Sequence, residues 1–118
     1  MKSKRFEIWL ANLDPRFGTE AGKTRPVLVI QNDLLNAIHP STIICPITTN
    51  VIKGVSILRV NIKEGEAGMN KESAIMIDQI RAIDTRRLIK KIGQLPAPLQ
   101  LKVVENLRIV LEIDVGIL

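Results

Sequence analysis

The chain has 118 residues, of which 46% are apolar, 25% charged and 3% aromatic, a length and balance that suit one globular domain over 1–118 and leave no room for two. Seventeen Lys and Arg against 12 Asp and Glu give a formal charge of +5, which favours an anionic partner such as nucleic acid, an acidic protein or a membrane surface. One Cys and one His exclude an internal disulfide and a zinc site of three or four soft ligands, and the lack of Tyr argues against a protein that stacks single-stranded bases on an aromatic sheet.

The basic start, Met1 to Arg5, leads into a stretch broken by Glu7, Asn12 and Asp14 with no small-residue cleavage site. Neither a signal peptide nor a transmembrane helix is expected, and with a lone Cys45 the expectation is a cytoplasmic protein without a membrane partner.

Short β-branched runs at residues 6–10, 26–31, 42–47, 55–61 and 73–77, and a weaker one at 88–95, read as strands. Trp9 on the first is expected in the core. Residues 14–24 then take roughly ten positions where a hairpin needs about 2 to 5, which marks a functional loop. Within it, Gly18-Thr19-Glu20-Ala21-Gly22-Lys23-Thr24 is close to a phosphate-binding loop. It has three residues between its glycines instead of four, however, and leads into Arg25-Pro26 and a strand instead of a helix, so both glycines are read as flexible. Phe17 has nothing nearby to bury it and could stack on a base. Arg25, where the loop enters the strand, is either a guanidinium fork for phosphate or a surface cation paired with Glu20 or Asp14.

Val27-Leu28-Val29-Ile30 is apolar at every position, as in a strand covered on both faces. Residues 33–36 form one helical turn capped by Asn32 or Asp33. His39 before Pro40 is a turn residue, and Cys45 is a small core hydrophobe. Thr48-Thr49-Asn50 ends the third strand with groups that bind ligand or cap backbone. Leu58-Arg59-Val60-Asn61-Ile62 alternates, as in a strand with one wet face. Asp78-Gln79-Ile80-Arg81 interrupts an apolar run with side chains able to read bases or phosphates. Asp84 caps a turn through Arg87, and Arg86, Arg87, Lys90 and Lys91 form the densest basic stretch, either a solvated face or a binding surface beside Arg25. After Pro96-Ala97-Pro98, the spacing of Leu99, Val103, Leu107 and Val110 predicts an amphipathic helix ending near Gly116. The sum is a small, curled, mostly antiparallel sheet or partly open barrel with a terminal helix on one side.

Trp9-Leu10-Ala11-Asn12-Leu13-Asp14-Pro15, Gly18-Thr19-Glu20, the run from Lys23-Thr24-Arg25-Pro26 to Gln31-Asn32-Asp33, Ile47-Thr48-Thr49, and Asp78-Gln79-Ile80-Arg81-Ala82-Ile83-Asp84 resemble, in order and spacing, the MazF/PemK family of toxin endoribonucleases. The resemblance runs from Phe6 to the last helix. Where the family opens its first strand with Gly-Asp, this chain has Phe6-Glu7, which keeps the acid.

The resemblance implies a mainly β fold with a C-terminal helix, a small partly open SH3-like barrel of the MazF/PemK/CcdB type, and a homodimer. It implies sequence-specific cleavage of single-stranded mRNA without metal or cofactor, leaving 2′,3′-cyclic phosphate and 5′-hydroxyl ends. Arg25 matches the catalytic arginine and Thr48 the catalytic threonine. Phe17 and Glu20 fall on the loop that contacts RNA, Gln79 and Arg81 on the strand that lines the groove, and Lys23, Thr49, Arg86 and Arg87 are counted with them as RNA-binding. A cognate antitoxin is implied as partner, its disordered acidic segment lying across the groove. Because an arginine stays protonated, Arg25 is assigned to transition-state stabilisation and leaving-group protonation, with Thr48 holding the scissile phosphate. Glu20 is a candidate base only if the loop folds inward.

The alternative is a non-enzymatic toxin of the same fold that binds and poisons DNA gyrase. That group carries a Trp near its C-terminus, where this chain has Asp114-Val115-Gly116-Ile117-Leu118. A basic RNA-binding module without catalysis is a third reading, and it needs no Arg25 and Thr48 pairing.

Overall fold

The computed structural model describes residues 2–54 and 57–113. In chain order they form β1 (Glu7–Asn12), β2 (Thr24–Val29), α1 (Asp33–Asn36), β3 (Ser41–Thr48), β4 (Arg59–Ile62), β5 (Ser73–Met76), β6 (Arg81–Asp84), β7 (Leu88–Gln94) and α2 (Ala97–Leu111), with single 3-10 turns at Ile77–Gln79 and Thr85–Arg87. Every strand pairing is antiparallel, in the order β4-β5-β3-β2-β1-β7, with β6 attached to β3.

The curl of the sheet comes from β3. Its first half pairs with β6 (Ser41↔Asp84 to Ile44↔Arg81) and its last two residues with β5 (Ile47↔Ile75, Thr48↔Ala74), so it belongs to two sections of sheet and bends between them. The sheet stays open, and the 63–72 connection closes onto β7 instead. A Cβ on Gly68 would lie 2.5 Å from the Ile92 carbonyl oxygen, and one on Gly93 would lie 2.3 Å from that of Ala67. Only glycine permits backbones to approach this closely.

Side chains alternate across a strand, and in β2 both sets are buried. Leu28 joins Ile8, Cys45, Ile47, Ile62 and Ile75 in one cluster, while Val27 and Val29 join Trp9, Ala11, Leu13, Ile44, Ile83 and Leu88 in the other. The uninterrupted apolar run of β2 is thus the mark of a strand covered twice. Helix α2 covers the first face through fully buried Val103, with Leu99, Leu107 and Val110 packed alongside. Among the described residues α2 adds none to the second cluster; Ala21, from the loop between β1 and β2, packs there, and at one end Asn36 of α1 accepts from the hydroxyl of Thr42, the partner of Ile83 (2.8 Å).

Several sequence expectations hold. The Asn32 side chain caps α1 by accepting from the Leu34 N–H (2.8 Å), and Asp84 caps the Thr85–Arg87 turn by accepting from the Arg86 N–H (2.8 Å). Trp9 and Cys45 are core residues, and burial pushes the Cys45 thiol up to about 12. Others are corrected. The strand expected at 55–61 begins only at Arg59, because β5 stops at Met76, the partner of Arg59, and the Ile77 N–H already bonds the Leu58 carbonyl (2.9 Å) as the chain turns. Val55 and Ser56 lie outside the described residues. Ile77 belongs to the 3-10 turn instead of the preceding strand, and of the two residues that the resemblance sets on a groove-lining strand only Arg81 is in one, β6, while Gln79 ends the turn. Helix α2 stops at Leu111, where Glu112 takes φ +55 and its N–H reaches the Arg108 and Ile109 carbonyls. Gly116 lies outside the described residues.

The Phe6-Glu7 departure also has a structural account. Phe6 sits at φ +68, the left-handed conformation that glycine adopts freely, and it is held by core packing and by the Arg5 guanidinium 4.4 Å above its ring. The Glu7 carboxylate is buried and accepts from Trp9 Nε1 (3.0 Å) and the Lys4 N–H (2.8 Å), with Lys91 Nζ at 2.9 Å. Burial raises its pKa, but the bonds from Lys91, Trp9 and Lys4 outweigh burial and hold it below the ordinary carboxylate value. No helix among the described residues is long and apolar enough to cross a membrane.

Candidate active site

The ladders bring distant residues onto one face. On one edge of β2, Ala11 of β1 faces Arg25; on the other edge, Val27, Leu28 and Val29 face Pro46, Cys45 and Ile44 of β3. The β2–β3 ladder runs from Val27↔Pro46 to Val29↔Ile44, so Arg25 lies two residues beyond its end on β2 and Thr48 two residues beyond it on β3, where Thr48 pairs with Ala74 of β5. Arg25 shares the face of Val27 and Val29, and Thr48 that of Ile44 and Pro46. Arg81 lies opposite Ile44 on β6 and therefore faces the same way. Arg25, Thr48 and Arg81 thus share the face opposite α2.

Arg25 is half-buried, and its Nε donates to the Gly22 carbonyl at 2.8 Å. It makes no ion pair with Glu20 or Asp14, so the reading as a paired surface cation does not describe it. With Nε committed, the guanidinium is fixed while its terminal nitrogens carry no ion pair. The Thr48 hydroxyl oxygen accepts from the Asn50 N–H (3.1 Å), which leaves the hydroxyl proton free to be donated. Arg81 Nη1 is buried without a hydrogen-bond partner. Such an orphan donor is costly.

The other anticipated residues divide. Gln79 is half-buried and engaged with protein: its Oε1 accepts from the Ala21 N–H (3.2 Å) and its Nε2 donates to the Thr19 carbonyl (3.3 Å). Phe17, 82% exposed, and Glu20, also exposed, project from the loop. Lys23 is exposed, at φ +65, with its N–H on Asp14 Oδ1 (2.7 Å). Thr49 lies beyond the end of β3 and lines a different groove, of about 530 Å³, with Leu10, Pro26, Met69, Lys71 and Lys90.

The basic stretch is largely occupied. Arg86 forms a two-point pair with Asp84 (3.0 and 2.9 Å), whose carboxyl these bonds hold at about 2. Arg87 Nη1 donates to the Asn12 carbonyl (3.0 Å) and to that of Asp14. Lys91 serves Glu7, and Asp78 is taken by Arg59 at 2.5 Å. His39 Nδ1 accepts from the Ser41 N–H (3.2 Å), in keeping with a turn residue. Among the described residues no group of three His, Cys, Asp or Glu side chains is placed to hold a metal ion.

Gly22 was read as a flexible position and is instead a packed one. It is buried, and a Cβ there would lie 2.5 Å from that of Arg16 and 3.0 Å from Asp14 Oδ1. Asp14 is likewise structural, its carboxylate closing the loop on Lys23. The sequence signals for both were the length of the loop and the Gly-Lys step where it rejoins the sheet.

Fold and site together define a small basic protein that directs a fixed arginine and a hydroxyl to one face of a curled antiparallel sheet, with a second, half-buried arginine on the same face, a set of donors suited to a phosphate. The family model described as "PemK-like, MazF-like toxin of type II toxin-antitoxin system" matches residues 4–111. The chain is 41% identical over 106 residues to the endoribonuclease EndoA of Bacillus subtilis, covering 90% of this chain and 91% of that one, and 37% identical over 89 residues to the endoribonuclease MazF of Staphylococcus epidermidis, covering 75% and 74%. Its fold superposes on MazF from Deinococcus radiodurans with a TM-score of 0.82 at 24% identity, covering 95% of this chain and 98% of that one. The chain belongs to the PemK-like, MazF-like toxin family of type II toxin–antitoxin systems.

Proposed function

We propose that this toxin is an endoribonuclease that cuts single-stranded mRNA at short specific sequences without metal, leaving 2′,3′-cyclic phosphate and 5′-hydroxyl ends. The observation that supports the proposal is that Arg25, held at Nε by the Gly22 carbonyl, and Thr48 lie on neighbouring strands and point toward the same face. The ribose 2′-hydroxyl gives up its proton to solvent as it attacks the adjacent phosphorus, the bond to the 5′-oxygen breaks, and that oxygen leaves with a proton that its donor regains from solvent. Charge builds on the phosphate oxygens, where the terminal nitrogens of Arg25 meet it in a fixed position and the Thr48 hydroxyl donates to a non-bridging oxygen. Arg25 also supplies the proton to the leaving oxygen. Fixed donors of this kind cost no reorganisation at the moment of reaction.

Around this pair, Arg81 adds positive charge on the same face, Phe17 a ring for one base, and Lys23 and Glu20 further contacts from the loop. Thr49, Arg86 and Arg87 stand as outer contacts, because other groups or the other groove already engage them. The names of the two curated relatives favour the ribonuclease reading over the gyrase-binding alternative. To test it, a long RNA is incubated with purified protein in excess chelator and its new 5′ ends are sequenced. Discrete cuts at one short sequence, at an unchanged rate, are expected. Activity that vanishes with chelator and returns with magnesium would contradict the mechanism.

A homodimer belongs to the same proposal. Ile43, Leu107, Leu111 and Ile113 line an apolar groove of about 220 Å³ beside α2, with Ile43, Leu111 and Ile113 exposed. A second copy would cover it in the isologous arrangement commonest among dimers. Sedimentation at micromolar concentration should give twice the chain mass, and a monomer mass would refute the dimer.

A further inference from the structure

We infer that Gln79 is a positioning residue for Arg25, acting through the loop between β1 and β2 instead of by touching RNA. The inference rests on the reading of Arg25 as catalytic. The hydrogen bond that orients Arg25 ends on the Gly22 carbonyl, so the guanidinium is only as well placed as residue 22. On its inner side that residue is wedged against Arg16 and Asp14, and the base of the loop is tied by the Lys23 N–H to Asp14, the Leu13 N–H to the Lys23 carbonyl (2.9 Å), and Arg87 to the Asn12 and Asp14 carbonyls. The outer part has far less support. Residues 16–20 are exposed, and among the described residues the hydrogen bonds that join 16–21 to the rest of the protein are the two from the Gln79 amide, on Thr19 and Ala21.

The amide is suited to this task because it accepts from one backbone group and donates to another, so it fixes both position and direction of the loop. It also stands on a firm base. Gln79 ends the Ile77–Gln79 turn between β5 and β6, where Ile77 is fully buried. The line of support runs from the core through Gln79 to Ala21, from the adjoining Gly22 carbonyl to Arg25 Nε, and so to the terminal nitrogens that face the phosphate. Without the amide, residues 19–21 gain freedom one position from the carbonyl that holds Arg25.

The test uses full-length protein and a short RNA containing one cleavage site. Gln79→Met keeps the side-chain length and loses both bonds, and Gln79→Ala serves as the second variant should the first fail to fold. A shift of about 1 Å at a catalytic group can cost up to about 10²-fold, so a loss of roughly tenfold in kcat with KM changed less than about twofold is expected. In an Arg25→Ala background the same change should cost less than about twofold, because a residue that acts through Arg25 has nothing left to position. Independently of catalysis, hydrogen exchange at the Arg25 Nε–H should quicken in Gln79→Met protein without RNA. A raised KM at unchanged kcat, an equal loss in both backgrounds, or an unmoved Nε–H exchange rate would each overturn the inference. A fully active Arg25→Ala protein would instead defeat the catalytic reading, while the exchange measurement would still report on the latch.

Discussion

Replacing Arg25 by Ala should slow RNA cleavage by at least about 10²-fold, the scale on which loss of one preorganised donor to a developing anion acts, while the protein melts close to the wild-type temperature. The two halves of this expectation have separate grounds. Arg25 makes its bond to a loop carbonyl and takes part in no ion pair, and the clusters on either side of β2 are built by Val27, Leu28 and Val29, so truncation leaves the core intact. Its charge, by contrast, has no substitute in the same place, because Arg81 is held on β6 across β3. Arg25→Lys should recover little: an ammonium keeps the charge but cannot hold the Gly22 carbonyl with one nitrogen and the phosphate with two others. Initial rates on a single-site RNA, with thermal melts of the same samples, measure both halves. A fully active Arg25→Ala protein would remove the assignment.

The second large effect concerns inhibition. An antitoxin with a disordered acidic segment, proposed as the partner of this toxin, would imitate RNA by laying carboxylates over Arg25 and Arg81, so that antitoxin and RNA exclude each other and cleavage is abolished at saturation. The structure shifts the expected source of the attraction. Arg86 and Lys91 already face Asp84 and Glu7, so steering is expected to depend on Arg25, Lys23 and Lys90 more than on that pair. Interactions between exposed charges are screened beyond roughly 10 Å at 0.1 M ionic strength, so the association rate should fall steeply with salt while dissociation changes less. Stopped-flow association across a salt series, with uncleavable RNA as competitor, gives the answer. A ternary complex of toxin, antitoxin and RNA, or a rate indifferent to salt, would rule out charge mimicry.

What was legible in the sequence follows a physical division. The covered part of β2 could be read because Val27-Leu28-Val29-Ile30 is apolar at every position, and the loop before it because its length exceeds what a hairpin needs. The Asn32 and Asp84 caps were legible because their partners lie two residues away. The residue pattern did not show β6 because Arg81–Asp84 is only four residues, two apolar between two charged, and does not alternate, and its partner, β3, lies some forty positions earlier. The same distance separates side-chain identity from side-chain use. Gln79, Arg86 and Arg87 were visible as polar groups near a groove, but the sequence does not show that Gln79 spends its amide on Thr19 and Ala21 or Arg87 its guanidinium on the end of β1. Arg25 and Thr48 could be singled out one by one and through family resemblance, whereas their facing the same way is a property of the folded sheet.

The chemistry proposed for that pair has its most direct test in the ends of the product strands. A short RNA is cleaved to completion in excess chelator and both fragments are weighed by mass spectrometry. Attack by the ribose 2′-hydroxyl leaves a 2′,3′-cyclic phosphate on the upstream fragment, lighter by one water than the linear phosphate, and a bare 5′-hydroxyl on the downstream one. A 3′-hydroxyl paired with a 5′-phosphate would mean that water attacked from the other side, and the account given for Arg25 and Thr48 would be wrong.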